Sequence, residues 1–119
     1  MLVVDDDPDM LRVIRGVLED EGITVTTAAD GGRAVAIAKQ RAPDLAVVDV
    51  QLPVLDGRQV AARLRDQLGA GFPVLAITAD GNAVAKGRQL TAYVCLQKPF
   101  ELNDLVAEVW RGLGRQRVS

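Results

Sequence analysis

The sequence contains no histidine and only one cysteine, Cys95. Without histidine, the chain can offer no histidine nucleophile, no histidine general base and no imidazole ligand for a metal. A single cysteine excludes an intramolecular disulfide and argues against a zinc site built from thiolates. If phosphate carried on histidine takes part in the function, it must therefore come from another protein.

Aromatic residues and long apolar runs are also scarce. Aromatic side chains make up 3% of the sequence, so we expect a core of mostly valine, leucine, isoleucine and alanine. No apolar run approaches the roughly 20 residues that span a bilayer. No charged segment precedes the first apolar run, as it would in a signal peptide. We therefore predict a cytoplasmic location and no contact with a membrane.

The length and charge bound the class of protein further. A chain of 119 residues suits one compact domain with one core. The formal net charge of -2 provides no overall basic field that would attract nucleic acid. We therefore expect no direct contact with nucleic acid, so that any effect on DNA would pass through another domain or a partner.

Short apolar runs alternate five times with helical patterns along the chain. This alternation predicts an α/β fold in which a parallel sheet is covered by helices on both faces. The last helix has a strong apolar stripe over residues 102–113, and a polar tail follows at residues 114–119, as a frayed end or as a joint to a second domain. The predicted strands cover residues 1–4, 23–28, 45–49, 72–78 and 93–96.

Several residues mark where these elements begin and end. Asp7 and Pro8 have the character of an N-cap and a first helical residue, and Gly22 is expected to end that helix. Gly31 and Gly32 are interpreted as a turn between the second strand and the second helix. These signals mark the first helix and the start of the second independently of the apolar pattern.

Polar side chains follow four of the five predicted strands. Parallel strands end at the same edge of a sheet, so these side chains are expected to lie close together. They form a cluster of three carboxylates, a hydroxyl and an ammonium group. Our hypothesis is that one of them, at the end of the buried central strand, is a nucleophile that becomes phosphorylated, namely Asp49. The members of the cluster are Asp5, Asp6, Asp49, Thr78 and Lys98.

Each member of this cluster has a use in phosphoryl transfer. Neighbouring carboxylates repel one another unless a cation lies among them, and Mg²⁺ prefers a few carboxylate oxygens together with water and phosphate oxygens. Lys98 provides a mobile positive charge for a phosphoryl oxygen. The hydroxyl of Thr78 can donate to another such oxygen, and backbone N–H groups of the turn after Asp49 can assist.

Taken singly, the same residues have simpler interpretations. Asp7 is equally well explained as a helix cap, Thr78 as a structural hydroxyl and Lys98 as a solvated lysine. Asp56 and Gly57 are interpreted as a turn and a helix cap, without a part in the chemistry. The functional hypothesis depends on the polar residues occurring together at one sheet edge and in this order.

With these residues in place, the chain resembles the response-regulator receiver domains of two-component signalling. The resemblance covers nearly the whole chain and implies a single receiver domain over residues 1–119. It implies a flavodoxin-like, doubly wound (βα)5 fold with strand order 2-1-3-4-5. The motifs that carry it are Val3-Val4-Asp5-Asp6-Asp7-Pro8, Asp49 followed by Leu52-Pro53 and Asp56-Gly57, Thr78-Ala79, and Lys98-Pro99-Phe100.

The resemblance also implies a role for each site residue. Asp49 would accept phosphate from a phosphohistidine on a sensor histidine kinase or a phosphotransfer protein. Asp5, Asp6, Asp49 and the backbone carbonyl of Gln51 would hold Mg²⁺. Thr78 would swing toward the phosphate, and Lys98 would contact it from the other side.

The resemblance further implies a Lys98-Pro99 bond that is often cis in the family. The domain would be no enzyme beyond catalysing its own phosphorylation and dephosphorylation. It would signal to a partner, to an output domain or through self-association. Whether the chain is a stand-alone regulator or a domain of a hybrid kinase or a longer regulator stays open.

One region departs from the family pattern. Receivers usually have an aromatic residue three positions before the lysine, where this chain has Cys95. Residues two apart in a strand point the same way, so Tyr93 is expected to replace that aromatic in part, from a different depth. The segment between Thr78 and Lys98 is shorter than usual, and its helix is weakened by Gly87. The output switch is therefore the part that the resemblance covers least well.

Three alternatives compete with this hypothesis. A haloacid-dehalogenase-type phosphatase needs a second aspartate two residues after the first, where this chain has Gln51. A flavodoxin-like cofactor site needs a phosphate-binding loop after the first strand, where Asp5, Asp6 and Asp7 would repel a phosphate. A pseudo-receiver that binds partners without phosphorylation is favoured by Cys95 and disfavoured by the complete acidic site.

Overall fold

A computed structural model describes residues 1–114 of the chain, so most of the polar tail lies outside the described residues. Strands and helices alternate five times, as predicted. The elements are β1 (Leu2–Val4), α1 (Pro8–Asp20), β2 (Thr26–Ala28), α2 (Gly31–Gln40), β3 (Ala46–Asp49), α3 (Gly57–Leu68), β4 (Val74–Thr78), α4 (Ala83–Gln89), β5 (Val94–Gln97) and α5 (Leu102–Gly112).

The five strands form one parallel sheet in the order β2-β1-β3-β4-β5. The predicted doubly wound fold and its strand order are therefore confirmed. Alternate side chains along each strand point to opposite faces and feed two apolar clusters. One cluster packs against α2 and α3, and the other packs against α1 and α5. β3 lies at the centre of the sheet, and all four of its residues are buried.

The first helix begins and ends as the sequence predicts. The side chain of Asp7 accepts a hydrogen bond from the amide of Asp9, and Pro8 occupies the first helical position. Gly22 follows the helix with a φ of 83°, a left-handed conformation that glycine adopts at little cost. Local signals in the sequence therefore mark both the start and the end of α1.

The second helix starts earlier than predicted. Gly31 and Gly32 belong to α2 and form no separate turn, and the N-cap is Asp30, whose side chain accepts from the amide of Arg33 at 2.8 Å. A Cβ atom on Gly31 would lie 2.5 Å from the Cγ2 atom of Val60 in α3. Glycine is needed here because two helices approach closely, which the sequence pattern does not reveal.

The predicted strand bounds also shorten in the structure. The second strand covers Thr26–Ala28 where we expected residues 23–28, and the fourth covers Val74–Thr78 where we expected residues 72–78. In both cases the apolar run extends beyond the part that pairs with a neighbouring strand.

None of the described helices is long and apolar enough to cross a membrane.

The fourth helix is short, and its two ends are held differently. α4 has seven residues, and its N-cap Asn82 makes no side-chain cap bond. At the other end, Arg65 of α3 donates to the carbonyls of Leu90 and Thr91. The C-terminal end of α4 is thus tied to α3, while the N-terminal end has no side-chain cap.

The expectation that Tyr93 replaces the missing aromatic is wrong. Tyr93 lies just before the first residue of β5 and packs in the cluster with α1 and α5, where its hydroxyl donates to the carbonyl of Glu108 at 2.7 Å. Cys95 packs in the other cluster, against α4. Because Tyr93 precedes the strand, the alternation of side chains within β5 does not extend to it.

Candidate functional site

The sheet brings the predicted carboxylates together at one edge. Asp5 and Asp6 follow β1, and Asp49 is the last residue of β3. One carboxylate oxygen from each of the three lies within 4.8 Å of the others. Asp5 and Asp49 are buried, whereas Asp6 is exposed. The cluster is therefore anchored in the core and open to solvent on one side.

Lys98 links two of these carboxylates. It follows β5 directly, and its Nζ atom donates to Oδ2 of Asp5 and to Oδ2 of Asp49, both at 3.0 Å. Burial alone would lower the pKa of Lys98, but the hydrogen bonds and charges of Asp49 and Asp5 outweigh it and raise the pKa. Lys98 is therefore held in the ammonium form between two carboxylates.

Asp5 is the most buried of the three carboxylates. Its carboxylate is fully buried and accepts hydrogen bonds from the amide of Asp7 at 3.0 Å and from Lys98. Burial raises the pKa of Asp5, and the nearby Asp49 adds to that effect, while the Asp7 amide and Lys98 oppose it. The net rise shows that one ammonium group does not fully offset the burial of this carboxylate.

Asp49 is held by the turn that follows it. Its Oδ1 atom accepts from the amide of Gln51 at 2.9 Å, which leaves Oδ2 to Lys98. A Cβ atom on Gly57 would lie 2.6 Å from the Asp49 carbonyl oxygen, so the start of α3 can pack here only as glycine. Asp56 forms a capping box with Gln59. The interpretation of Asp56 as a helix cap is confirmed, whereas Gly57 is the first residue of α3 and forms no separate turn.

The donor set suits a hard divalent cation. Asp5, Asp6 and Asp49 together carry three negative charges when ionised, and Lys98 supplies one positive charge among them. All the available donors are oxygens, and one of the carboxylates is exposed so that a hydrated ion can reach the cluster. These features match the preference of Mg²⁺ for a few carboxylates with retained waters.

Thr78 lies at the end of β4 and is fully buried. Its hydroxyl donates to Oε1 of Gln51 at 3.0 Å and accepts from the amide of Asp80 at 3.0 Å. The same Gln51 oxygen accepts from the amide of Ala79 at 3.4 Å. Thr78 is thus connected to Asp49 through Gln51, whose backbone amide donates to the Asp49 carboxylate.

The role of the Gln51 side chain was not predicted from the sequence. Gln51 was assigned only through its backbone carbonyl, by resemblance. A signal for the side chain does exist, because a long amide two residues past the end of β3 can reach the hydroxyl that ends the neighbouring β4.

The predicted cis bond between Lys98 and Pro99 is present.

Comparison with known proteins gives one consistent family. Residues 1–110 match the model of the response regulator receiver domain. The chain is 37% identical to the probable transcriptional regulatory protein TcrX of Mycobacterium tuberculosis, across 100% of this chain and 51% of that protein. It is 38% identical to the alkaline phosphatase synthesis transcriptional regulatory protein PhoP of Bacillus subtilis, across 100% of this chain and 50% of that protein.

A solved structure agrees with these sequence relatives. The receiver domain of NtrX from Brucella abortus superimposes with a TM-score of 0.86 at 36% identity, over 95% of this chain and 97% of that one. The chain spans about half the length of the curated relatives TcrX and PhoP.

Proposed function

Because this chain belongs to the response regulator receiver domain family, we propose that Asp49 accepts a phosphoryl group from a phosphohistidine on a sensor histidine kinase or a phosphotransfer protein. A receiver domain is a signalling domain and no classic enzyme. The observation that carries the proposal is a buried aspartate at a central strand end, held 3.0 Å from Lys98 and grouped with two further carboxylates.

In the proposed step, a carboxylate oxygen of Asp49 attacks the phosphorus atom of the donor. A P–O bond forms and the P–N bond breaks, and its electron pair goes to the leaving imidazole of the donor. Lys98 already lies beside Asp49 and turns its ammonium group to a phosphoryl oxygen. The domain contributes catalysis only to its own phosphorylation and dephosphorylation.

Asp5, Asp6, Asp49 and the backbone carbonyl of Gln51 would hold Mg²⁺. When bound, the ion would neutralise the negative charge of the phosphoryl group and of the carboxylates around it. Support for this part of the proposal comes from the oxygen-only donor set and from the excess of carboxylates over ammonium groups at the edge of the sheet.

The conformational response follows from the new charge. Phosphate on Asp49 adds about -1.5 to -2 charge and new hydrogen-bond acceptors. Lys98 and the hydroxyl of Thr78 are drawn toward these acceptors, and the loops after β3 and β4 shift between two arrangements. A partner surface near α4 and β5 then responds to the shift.

The downstream partner is proposed from the relatives. TcrX and PhoP are named transcriptional regulatory proteins and are about twice as long as this chain. Their extra length supports an output domain or self-association as the next step, with any contact to DNA made outside the receiver. Residues 1–119 are proposed to form one receiver domain, and the cytoplasmic location stays a prediction.

Two alternatives are disfavoured by particular residues. A phosphatase of the haloacid-dehalogenase type would need an aspartate where Gln51 lies, and Gln51 instead bonds to Thr78. A pseudo-receiver would have no need to keep Asp5, Asp6 and Asp49 within 4.8 Å of one another around a lysine.

The proposal can be tested by incubating the protein with acetyl phosphate and Mg²⁺ and measuring its intact mass. We expect the wild type to gain the mass of one phosphoryl group, and Asp49→Asn to gain none. Asp66→Asn, on the exposed part of α3, is the matched control and should gain the same mass as the wild type. No adduct on the wild type, or an equal adduct on Asp49→Asn, would overturn the proposal.

A further inference from the structure

The hydroxyl of Thr78 has its single hydrogen already engaged. The hydrogen is donated to Oε1 of Gln51 at 3.0 Å, while the hydroxyl oxygen accepts from the amide of Asp80 at 3.0 Å. A threonine hydroxyl carries one donor hydrogen. Thr78 therefore cannot donate to a phosphoryl oxygen on Asp49 while it donates to Gln51.

The same Gln51 oxygen also joins two loops. It accepts from the amide of Ala79 at 3.4 Å in addition to the hydroxyl of Thr78. Gln51 lies in the loop after β3, and Ala79 lies in the loop after β4. Two bonds to one amide oxygen thus hold together the two loops that flank the phosphorylation site.

We propose that the side chain of Gln51 is a latch, which keeps Thr78 turned away from the phosphoryl position until that group arrives. The proposal rests on the function proposed above and adds a positioning residue to it. In the proposed function the backbone carbonyl of Gln51 would hold Mg²⁺, whereas its side chain bonds to Thr78, so the two roles can be separated by side-chain substitution.

A series of polar contacts leads from the latch to α4. Asp80, which donates its amide to Thr78, accepts from the amide of Asn82 at 3.1 Å and forms an ion pair with Lys86 at 3.8 Å. Asn82 provides no side-chain cap for α4. Movement of Thr78 toward the phosphate therefore disturbs the contacts that hold the N-terminal turn of α4, while Arg65 keeps its C-terminal end in place.

The latch is tested with a double-mutant cycle read by the affinity for beryllofluoride, which mimics a phosphoryl group on a carboxylate. Gln51→Met keeps the length of the side chain and removes the acceptor, and Thr78→Val keeps the shape and removes the donor. Affinities are measured at a Mg²⁺ concentration that saturates each variant. Gln67→Met, on the exposed part of α3, is the matched control for the substitution.

We expect Gln51→Met to bind beryllofluoride roughly two- to tenfold more tightly than the wild type, because one intramolecular hydrogen bond no longer has to be broken. The gain should disappear when Thr78 is already valine, since no hydroxyl remains to be released. Gln67→Met should bind like the wild type. Equal or weaker binding by Gln51→Met, or a gain that persists beside Thr78→Val, would overturn the latch.

A second readout needs neither metal nor phosphoryl analogue. The methyl signal of Thr78, identified by its loss in Thr78→Val, should report one side-chain rotamer in the wild type and several in Gln51→Met. Several rotamers in the wild type would overturn the latch even if Asp49 forms an adduct. Failure of wild-type Asp49 to bind beryllofluoride, with a single Thr78 rotamer, would instead overturn the proposed phosphorylation.

Discussion

A methyl group on Gly87 would lie 2.9 Å from the Cβ atom of Cys95. Gly87 is buried in α4, and Cys95 points from β5 toward it. Real Cβ atoms do not approach one another so closely, so α4 can lie against β5 only because residue 87 has no side chain. The absence of a side chain at residue 87 is therefore required for α4 to lie in this position against β5.

Replacement of Gly87 by alanine tests that contact. In an exposed helix, glycine-to-alanine stabilises by roughly 0.5 to 1 kcal/mol. Here the added methyl group must push α4 off the sheet, so we expect Gly87→Ala to destabilise the protein by about 1 to 3 kcal/mol in urea unfolding.

Gly16→Ala is the matched control for this change. Gly16 lies in the exposed part of α1, and a Cβ atom there would meet nothing within 4 Å. We expect Gly16→Ala to stabilise the protein slightly. An equal gain from both substitutions would show that α4 does not approach β5 as described.

Removal of Lys98 tests the charge balance of the acidic cluster. In Lys98→Met, the buried carboxylates of Asp5 and Asp49 lose their shared ammonium partner. We expect the free energy of unfolding in the presence of EDTA to fall by about 1 to 3 kcal/mol. Added Mg²⁺ should restore part of the loss, because a cation that binds only the folded state stabilises it.

The control for Lys98→Met is Lys39→Met, at an exposed position of α2. A surface lysine contributes little to stability, so this variant should unfold like the wild type with or without Mg²⁺. If both variants lose the same stability, or if Mg²⁺ does not distinguish them, the carboxylates do not depend on Lys98 for their counter-charge.

The free energy of unfolding at alkaline pH tests the packing of Tyr93. Burial and the nearby Glu108 raise the pKa of the Tyr93 hydroxyl, and Arg111 opposes them. In the unfolded chain the tyrosine hydroxyl loses its proton at about pH 10. The folded state therefore keeps the Tyr93 proton at a pH where the unfolded chain has lost it. This contribution to stability is fully present below pH 10 or so and is lost as the pH rises through the folded pKa.

Tyr93→Phe has no such proton to lose. We expect it to be less stable than the wild type at neutral pH, because the bond to the Glu108 carbonyl is missing. Above about pH 10 the difference in the free energy of unfolding between the two proteins should become smaller, since only the wild type loses stability through this hydroxyl. A difference in stability that stays constant from pH 7 to pH 11, measured by denaturant unfolding, would contradict the half-buried position of the Tyr93 hydroxyl beside Glu108.

The backbone at Val54 has a strained conformation. Val54 has a φ of 67° and is fully exposed, and a β-branched residue rarely adopts that conformation. We expect Val54→Asn to stabilise the protein by about 1 kcal/mol, because asparagine tolerates the left-handed region. Val84→Asn, at an exposed position of α4, is the control and should give no gain.

The order of the elements was predictable because it depends on local patterns. Alternating apolar runs and helical spacing give the five strands and helices, and the parallel-sheet rule places Asp5, Asp6 and Asp49 at one edge. The cap at Asp7 and the stop at Gly22 are likewise local. The roles of these carboxylates in metal binding and phosphorylation stay predictions.

What the sequence does not reveal are distances between elements. The pair Gly31-Gly32 indicates a turn in the sequence, whereas the need for glycine at residue 31 comes from its contact with Val60, which depends on how α2 packs against α3. In the sequence, Gly87 only lowers the helix propensity and Cys95 only departs from the family pattern. The contact between these two residues is visible only in the fold. Tyr93 was placed on the wrong side because the strand begins one residue after it.

The most direct test of the central claim is to map the phosphorylated residue. The protein is incubated with acetyl phosphate and Mg²⁺, treated with borohydride, which reduces an aspartyl phosphate to homoserine, and digested for peptide mass spectrometry. We expect homoserine at position 49 and nowhere else. Homoserine at another aspartate, or an unmodified Asp49 in a protein that carries phosphate, would contradict the central claim.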